Sequence, residues 1–366
     1  MDAFEGMNAI PCLHLQEVFV ESLRCHQKGM WRFSPGVNLI TGANGSGKTT
    51  VLEAVSLMAQ GRSFRAMRDP GLVRWGDTQF RLHGVWRRYG PVKVWVNGQR
   101  GNVKVQLQGR TVRKLSDLAH TLPLVIDAPQ ARRVVDGTAG ERRHWLDGLA
   151  MACHDSYIES YRRYLRSLSQ RSLLLRKRVL ASTQLDAWEV QVVRYGREIM
   201  RRRSEIITAM KPLLSQYDSL MGAPLKVALI QSASDDEDDW LDALKAKREH
   251  DATGGSRTGP HCDQLRILFH DRDIRQVGAR GQQRLAALVL RLAEWEMHRH
   301  HKGLAPLLLL DDCLEALDLA RQHQLLECIH ETGAQVLLTA PNQVCVPAGL
   351  DIHVQQLTGQ CVEEAA

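Results

Sequence analysis

The chain has 366 residues, of which 44% are hydrophobic, and this is enough for two domains or for one domain with a large insertion. Its formal net charge of +7 favours a polyanionic partner. Aromatic residues make up only 5%, so the composition disfavours a base-stacking platform and favours contacts to a phosphate backbone. No apolar run approaches the length of a membrane span and the first residues lack a signal pattern, so a cytoplasmic location without a membrane partner is expected.

The first predicted elements are strands that lead to a glycine-rich loop. From Leu13 to Val20 apolar and polar side chains alternate, as in a half-buried strand, and Val37–Ile40 is typical of a buried one. Gly42–Thr49 then matches the phosphate-loop pattern G-x-x-x-x-G-K-[S/T] at every required position. Apolar residues recur at helical spacing over 51–58, so the order strand, loop, helix is predicted.

The loop residues are suited to hold a nucleoside triphosphate and a metal ion. Its glycines let successive backbone N–H groups point at phosphate oxygens, and the positive end of the next helix adds to the same place. Lys48 is predicted to reach the β- and γ-phosphates during catalysis, and the Thr49 hydroxyl to bind Mg²⁺. The candidate ATP-binding residues here are Gly42, Ala43, Asn44, Gly45, Ser46, Gly47, Lys48, Thr49 and Thr50.

The stretch after the loop combines a basic turn with strand patterns. Gly61–Arg65 is a basic turn leading to Arg68, and Arg65 and Arg68 are candidate DNA contacts. Short alternating runs fill residues 80–107, and Asn97-Gly98 among them is a strong signal for a hairpin turn. Residues 1–125 are therefore expected to form a strand-rich half of a nucleotide-binding domain.

Another buried strand is predicted at Leu124–Ile126, just before Gln130. A glutamine in this position can bridge Mg²⁺ and the attacking water, which makes Gln130 a candidate metal residue. A solvated loop glutamine fits the same pattern. Both interpretations stay open from the sequence.

Residues 157–220 combine a helical pattern with a strongly basic composition. Two long antiparallel helices are the simplest interpretation. The excess of arginine over acidic residues favours DNA binding, although a solvated charged face fits as well. The candidate DNA contacts here are Arg162, Arg163, Arg201 and Arg202. The acidic run Asp235–Asp239 is predicted to be an exposed or disordered linker that marks the return from this lobe.

Acidic residues at the end of a late strand complete the predicted site. Leu307–Leu310 is wholly apolar and ends in Asp311 and Asp312. Asp311 is predicted to hold Mg²⁺ through its waters, and Asp312 to act as the catalytic base. Gln335–Thr339 is the last predicted core strand.

A long amphipathic helix opens with Arg280-Gly-Gln-Gln-Arg284. Its start offers backbone donors and a positive dipole end to an anion, so Arg280, Gly281 and Gln282 are candidate ATP contacts.

The order of these motifs resembles the ATP-binding-cassette class and, more specifically, the RecF family of DNA repair proteins. The similar stretches are Gly42–Thr49 with Leu52–Ala54, Gly61–Arg65, Arg142–Asp147, Thr258–His261, Arg280–Arg284 and Leu309–Asp318. The resemblance implies an α/β fold, an ABC-type (SMC-like) P-loop ATPase head with an inserted helical lobe. The head is expected to be discontinuous, 1–125 and 255–366, around a basic lobe at 126–254. In this class the signature helix serves the nucleotide bound by a second copy.

The resemblance also implies a function. The expected protein is an ATP-dependent homodimer with slow ATP hydrolysis. It is expected to bind gapped DNA or single-strand/double-strand junctions and to help load a recombinase in recombinational repair with RecR-type and RecO-type mediators. The family usually has serine before Arg-Gly-Gln, where this chain has Ala279. A DNA clamp that binds ATP without significant turnover is therefore one alternative, and the ATPase subunit of a membrane transporter is the other.

Overall fold

The computed structural model describes residues 13–65, 70–99, 101–341, 346–358 and 361–364. The chain divides into two compact units, Met1–Arg132 with Arg280–Ala366, and Arg133–Ala279. The strands are β1 His14–Leu23, β2 His26–Arg32, β3 Val37–Gly42, β4 Gln79–Arg87, β5 Pro91–Gln99, β6 Asn102–Leu107, β7 Arg110–Thr111, β8 Leu124–Asp127, β9 Leu225–Ile230, β10 Gln264–Phe269, β11 Arg272–Asp273, β12 Leu307–Leu310, β13 Val336–Ala340, β14 Ile352–Thr358 and β15 Cys361–Glu364.

The helices complete the described secondary structure. They are α1 Lys48–Gln60, α2 Leu115–Thr121, α3 Arg133–Asp136, α4 Ala139–Cys153, α5 Tyr157–Arg176, α6 Thr183–Ser215, α7 Asp218–Met221, α8 Glu237–Ala246, α9 Arg248–Gly254, α10 Ile274–Val277, α11 Arg280–Lys302 and α12 Leu319–Glu331. Short 3-10 turns lie at Pro70–Leu72, Pro129–Arg132, Pro260–Cys262 and Cys313–Ala316. Within the described part of the chain, no helix has both the length and the apolar character needed to cross a membrane.

The first unit is built from two sheets with α1 packed against both. One sheet is antiparallel, in the order β2-β1-β4-β5-β6-β7. The other has the order β15-β14-β3-β13-β12-β8, and its strands are parallel except for β15 at the edge. Helix α1 contacts β1, β4 and β5 on one side and β3, β8 and β13 on the other. This confirms the predicted α/β head, with the phosphate loop between β3 and α1.

The parallel strands at the centre of the head are buried along their whole length. Every residue of β3, β12 and β13 is buried. Strands covered on both faces read as continuous apolar runs, which makes β12 recognisable from its four leucines. The strands predicted at Val37–Ile40, Leu307–Leu310 and Gln335–Thr339 are confirmed within one or two residues.

The hairpin between β5 and β6 turns later than the sequence predicts. Asn97 and Gly98 lie within β5, and strand pairing continues to Gln99 and Asn102. Gly98 pairs with Phe80 on β4, and a Cβ on Gly98 would lie 2.0 Å from the Phe80 ring. The predicted Asn97-Gly98 turn is therefore wrong, because this glycine makes room for a cross-strand aromatic ring.

The second unit contains the two long helices that the sequence predicts. Helices α5 and α6 pack against each other, with Arg163 beside Tyr195 and Arg171 beside Glu189, so they run antiparallel. Strands β9, β10 and β11 form an antiparallel sheet in the order β11-β10-β9, and α6 contacts β9. The helical pair is confirmed, and the small sheet is an addition that the sequence did not predict.

The acidic run at 235–239 begins a helix. The Asp236 carboxylate accepts hydrogen bonds from the backbone N–H groups of Asp238 and Asp239, at 3.0 Å each, and so caps α8. Acidic residues in the first turn of a helix are stabilised by the positive end of its dipole. The run is exposed, as predicted, but it forms an ordered helix start, so its interpretation as a linker is wrong.

The boundaries of the two units differ from the expected 125/126 and 254/255. Strand β8 pairs with β12, which places residues up to Arg132 in the first unit. Strand β10 pairs with β9, which places residues up to Ala279 in the second. The division of the chain into a head and an inserted lobe remains a prediction.

Candidate nucleotide-binding site

The phosphate loop owes its shape to glycines in conformations that other residues rarely adopt. Gly45 and Gly47 have φ angles of +82° and +99°, and Gly47 immediately precedes α1. A Cβ on Gly47 would lie 2.3 Å from Nε2 of His26 and 2.8 Å from Sγ of Cys25. Gly47 is thus required both by its dihedral angle and by the close approach of β2.

His26 supports the loop from below. Its Nε2 lies 3.1 Å from the Gly47 carbonyl oxygen, and its ring meets Trp31 edge-on at a centroid distance of 5.1 Å. Burial lowers the pKa of His26, with the bond to Gly47 opposing that shift. A neutral imidazole therefore stabilises the loop through the Gly47 carbonyl. No sequence pattern indicated this role.

Lys48 is buried and directed into the loop. Its Nζ donates to the carbonyl oxygens of Gly42 and Ala43, at 2.7 and 3.1 Å. Burial of an ammonium group is costly unless it has strong partners. The backbone carbonyls supply them here and hold the charge inside the loop that is predicted to surround phosphate groups.

Two aspartates, two threonines and the strand ends meet beside the loop. The Thr49 hydroxyl donates to Asp311 Oδ1 at 2.9 Å, and the Thr339 hydroxyl donates to the same oxygen at 2.9 Å. The Asp312 N–H donates to Thr339 Oγ1 at 2.9 Å, and Asp312 has φ of +50°. Burial raises the pKa of Asp311, while the two hydroxyl bonds oppose the shift. The predicted proximity of Thr49, Asp311 and Asp312 is therefore present.

Glu53 connects the basic turn at Gly61–Arg65 to α1. Its fully buried carboxylate accepts from Arg24 Nη2 at 2.8 Å and from the Ser63 hydroxyl, and Arg65 Nη1 lies 3.8 Å away. The structure thus places Arg65, a predicted DNA contact, at the nucleotide pocket. Arg24, Glu53 and Thr339 were not predicted as site residues, although Glu53 lies in a stretch similar to the family.

Some of these residues line a cavity of about 460 Å³, whereas Asp311, Thr339 and Glu53 are not among its lining residues. The lining residues are Arg24, Cys25, Asn44, Gly45, Gly47, Lys48, Thr49, Thr50, Arg65, Asp312 and Glu315. Arg280, Gly281 and Gln282 are not among them; they begin α11, where Arg280 is exposed. The backbone of Gln130 lies in the short turn after β8, but its side chain and the whole of Arg68 fall outside the described residues.

The residues present fit a nucleoside triphosphate with Mg²⁺. Ser46 Oγ is a buried hydroxyl without a hydrogen-bond partner among the described residues, and it lies in the loop that would surround phosphates. The Thr49 hydroxyl and the Asp311 carboxylate are the oxygen donors that Mg²⁺ prefers. The described ranges, this site included, contain no group of three or more His, Cys, Asp or Glu side chains that could hold a metal ion, so the proposed metal site depends on Thr49 and Asp311.

Comparisons with known proteins identify the family of this site. A family model described as an AAA domain matches residues 17–116. The chain is 31% identical over 349 residues to the DNA replication and repair protein RecF of Moorella thermoacetica, covering 93% of each chain. It is 34% identical over 327 residues to RecF of Synechococcus sp. (strain JA-3-3Ab), covering 84% of this chain and 86% of the relative. The chain belongs to the RecF family.

Solved structures agree with this family. A structure of the recombination mediator protein RecF with ATP, in the RecFOR pathway, has a TM-score of 0.81 at 26% identity and covers 99% of this chain and 100% of that one. An Smc head domain with an extended coiled coil, derived from Pyrococcus furiosus, has a TM-score of 0.60 at 16% identity, with 96% and 95% covered. The second likeness shows the fold alone, that of an SMC-like ATPase head.

The RecF-like Thr258–His261 stretch is structural within the second unit. Gly259 has φ of +129°, and a Cβ there would lie 2.5 Å from Tyr164 Oη. Burial lowers the pKa of His261, so its neutral Nε2–H donates to the Ser256 carbonyl at 2.9 Å and its Nδ1 accepts from the Tyr164 hydroxyl at 2.6 Å. The glycine makes room for a buried tyrosine that this histidine holds in place.

The arginines of this RecF-family lobe are paired more fully than the sequence suggests. Arg163 donates to Glu159 at 2.6 Å, and Arg201 and Arg202 share Glu198 and Glu205. Arg162 is exposed, whereas Arg171 and Arg203 are buried in ion pairs. The excess of arginine over acidic residues is therefore partly offset by glutamates that lie one helical turn from their arginines. DNA binding by Arg162, Arg163, Arg201 and Arg202 stays a prediction.

Asp127 is a buried carboxyl next to the metal candidate of this RecF-type head. Its Oδ1 has no hydrogen-bond partner among the described residues, and its carbonyl accepts from the Asp311 N–H at 2.8 Å. Burial raises the pKa of Asp127 to about 6, and nearby Asp311 adds to the shift while Arg291 and Arg132 oppose it. The folded protein therefore holds a proton on this carboxyl at a pH where the unfolded chain has lost it.

This proton predicts a pH-dependent stability. A carboxyl whose folded pKa is raised contributes most at low pH, and that contribution is lost as pH rises from about 4 through about 6. In nucleotide-free protein, the unfolding free energy of Asp127→Asn minus that of wild type is expected to rise by about 3 kcal/mol between about pH 4 and about pH 7.5. The rise reflects the stability that wild type loses when Asp127 gives up its proton. Urea unfolding at a series of pH values tests this. Parallel pH curves for the two proteins would contradict it.

Proposed function

We propose that this chain is a cytoplasmic, ATP-dependent DNA-binding repair protein that acts as an ATP-driven homodimer. It binds gapped DNA or single-strand/double-strand junctions and assists recombinase loading with RecR-type and RecO-type mediators. The observation that carries the ATP part is the shared bonding of Thr49 and Thr339 to Asp311 beside Lys48. Membership of a family of DNA replication and repair proteins supports the DNA part.

The proposed chemistry assigns one task to each residue of the pocket. Lys48 binds β- and γ-phosphate oxygens, and the loop amides between Gly42 and Lys48 bind the remaining ones. Thr49 and Asp311 hold Mg²⁺, which when bound neutralises the charge that develops on the transferred phosphoryl group. Asp312 accepts a proton from the attacking water. Hydrolysis is proposed to be slow and to be stimulated by DNA.

The signature residues are proposed to complete this site on a second copy. Arg280, Gly281 and Gln282 begin α11 and do not line the pocket of their own chain. A helix start with exposed backbone donors suits the γ-phosphate of another protomer's nucleotide. The predicted role of Gln130 at the metal is retained as part of the same proposal.

The test is DNA binding with and without ATP and Mg²⁺. Gapped duplex, blunt duplex and single strands of matched length are compared by fluorescence anisotropy. The proposal expects ATP to tighten binding and the gapped or junction substrate to bind most tightly. A purified protein that binds ATP but no form of DNA, with or without ATP, would overturn it.

The transporter alternative is set aside because the relatives named above are DNA replication and repair proteins.

An Asp312→Asn variant is expected to trap the dimer. The amide keeps the shape of the side chain but cannot accept a proton from water, so ATP binds and persists. Sedimentation velocity with saturating ATP and Mg²⁺ should show dimers that outlast those of the wild type, while ADP leaves monomers. A monomeric variant that binds ATP normally would contradict the dimer.

A clamp without significant turnover is the second candidate, favoured by Ala279 at the position before Arg280. Ala279 is exposed and immediately precedes α11. A serine hydroxyl there would donate to the γ-phosphate from across the dimer, and a hydrogen bond to a charged group contributes about 1.5–3 kcal/mol.

Ala279→Ser is therefore expected to tighten ATP-dependent dimerisation by roughly tenfold to a hundredfold. The ATP affinity of the monomer should be nearly unchanged, because the hydroxyl acts only across the interface. Sedimentation equilibrium with ATP measures the dimer constant, and single-turnover hydrolysis tells a clamp from an enzyme. An unchanged dimerisation constant would show that residue 279 does not contact the nucleotide across the dimer interface.

A further inference from the structure

The antiparallel sheet of the first unit has one face packed on α1 and one face directed to solvent. Along β4 and β5, buried side chains such as Leu82 and Val94 alternate with half-buried and exposed ones such as His83 and Lys93. Helix α1 packs against β1, β4 and β5. The opposite, outward face (the outer face below) carries side chains that this core does not use.

A row of ring-bearing and apolar side chains crosses the outer face. Strand pairing places Met30 opposite Phe19, Phe19 opposite His83, and His83 opposite Trp95. Directly paired residues share one face of a sheet, so the row spans four neighbouring strands. Met30 is 49% exposed, and the other three are half-buried. The His83 and Trp95 rings lie 5.1 Å apart at 33°, so they form a continuous surface.

Cations flank this row on the same face. Exposed lysines and arginines of the outer face are Lys28, Arg32, Arg81, Arg87, Lys93 and Lys104, against the carboxylates Glu17 and Glu21. Arg81 pairs with Glu21 at 3.4 Å, and Lys28 Nζ lies 5.8 Å from the Phe19 ring centroid. Within the part of the chain that the structure describes, Lys93 and Lys104 have no carboxylate within 4.0 Å.

The outer face thus differs from the arginine-rich surface of α6. On α6 the arginines Arg201 and Arg202 are paired with glutamates of the same helix. On the outer face, unpaired lysines border rings that are accessible to solvent. Rings that can stack on bases, combined with cations that track a phosphate backbone, are the features that bind single strands.

We propose that the outer face binds single-stranded DNA, with bases stacked on Phe19, His83 and Trp95 and phosphates held by Lys93 and Lys104. The duplex is disfavoured because its base faces are covered by neighbouring pairs, whereas a single strand can turn them toward the sheet. The proposal deepens the proposed function, on which it rests, by assigning the single-stranded arm of a gap or junction to this face.

The environment of His83 agrees with stacking. Burial lowers the pKa of His83, with Glu17 opposing the shift and Lys93 adding to it. The imidazole is therefore neutral at physiological pH and extends the surface of Trp95. The low overall aromatic content, which disfavours a stacking platform on composition alone, does not prevent one where strand pairing gathers the rings.

The experiment measures binding of the full chain to two labelled single strands of equal length, oligothymidine and an abasic oligonucleotide with the same phosphates. Wild type should bind oligothymidine at least about a hundredfold more tightly than the abasic strand, because stacking contributes at each of the bound bases. Phe19→Leu and Trp95→Leu keep an apolar side chain but remove the ring. Each should weaken oligothymidine binding about tenfold and leave abasic binding nearly unchanged.

Charge and placement have their own variants. Lys93→Gln and Lys104→Gln should each reduce the salt dependence of binding by about 0.7 in log–log slope. Trp75→Leu is the matched control, because Trp75 is 95% exposed and lies outside the outer face. Thermal unfolding and ATP affinity are measured for every variant. These measurements distinguish weaker DNA binding caused by the missing ring from weaker binding caused by misfolding.

The outcomes separate this inference from the proposed function. If DNA still binds and Phe19→Leu and Trp95→Leu bind oligothymidine like wild type, the outer face is not the site, and the proposed function stands. Equal weakening on the abasic strand would show phosphate attraction without stacking and would also overturn the inference. Wild type that binds no DNA in any form would overturn the proposed function as well, and would leave the face to a protein partner.

Discussion

Lys48→Ala is expected to weaken ATP binding at least a hundredfold while the protein stays folded. Lys48 is the buried cation of the phosphate loop, and its Nζ bonds only backbone carbonyls of the same loop. With ATP bound it is predicted to meet two phosphate groups, and each charged hydrogen bond contributes about 1.5–3 kcal/mol. Isothermal titration with ATP and Mg²⁺ measures the loss.

The control for this prediction is the fold itself. Lys48 itself lines the cavity, so water can enter the space that its side chain leaves and hydrogen-bond the two carbonyl oxygens. Circular dichroism and the unfolding midpoint of Lys48→Ala should therefore match the wild type closely. Unchanged ATP affinity in a folded variant would remove Lys48 from the phosphate site and with it the assignment of the loop.

Arg203→Met is expected to destabilise the protein by about 3–5 kcal/mol. Arg203 is buried on α6, where its guanidinium bonds Asp147 at 2.9 Å, Asp263 at 2.8 Å and the Pro260 carbonyl at 2.6 Å. Removing the guanidinium leaves two buried carboxylates without their cation. These contacts also raise the pKa of Arg203 above its ordinary value, despite burial, so it stays charged.

Arg201→Met is the matched control on the same helix. Arg201 is exposed, and its pairs with Glu198 and Glu205 are solvated, so its loss should change the unfolding free energy by less than about 1 kcal/mol. Urea unfolding of both variants tests the difference. A similar small effect for both would show that solvent reaches the Asp147 and Asp263 carboxylates.

These two arginines show why charge in a sequence is a weak guide to a surface. Residues 201–203 read as three consecutive cations that could meet DNA. A helix turns about 100° per residue, so neighbours in sequence point in different directions. Arg201 faces solvent, while Arg203 joins α4 to the turn before β10. The tertiary structure decides which cation is available to a partner.

The nucleotide site could be predicted to a large extent. The phosphate loop is a local structure, because its glycines, its lysine and its threonine are consecutive and lie between a strand and a helix. Asp311 and Asp312 follow an apolar run that could only be a buried strand. Parallel strands bring their carboxyl ends to one edge, so the acidic pair and the loop were expected to meet there.

The supporting residues could not be predicted in the same way. Thr339 contacts Asp311 because β13 lies between β3 and β12 in the sheet, an order that no local pattern specifies. His26 reaches Gly47 only because β2 passes behind the loop. Strand order is a property of the whole chain, so these contacts needed the structure.

The two wrong predictions have different causes: tertiary packing overrode the turn preference of Asn97-Gly98, and a local helix cap in the acidic run was not recognised. Asn97-Gly98 has the composition of a turn, but the ring of Phe80 occupies the space above Gly98. The run at 235–239 has the composition of a linker, but Asp236 caps α8. The space above Gly98 is taken by Phe80, which lies outside the turn pattern, whereas the cap at Asp236 uses only residues of the acidic run itself.

The sequence by itself determined the class of fold, the family and the position of the phosphate loop, because these depend on consecutive residues and on motif order. The tertiary structure decided which arginines are buried, which carboxylates balance them, and that Phe19, His83 and Trp95 share one solvent-facing row. The physical reason is that burial and cross-strand neighbours arise from residues far apart along the chain. A local sequence pattern therefore does not specify burial or cross-strand neighbours.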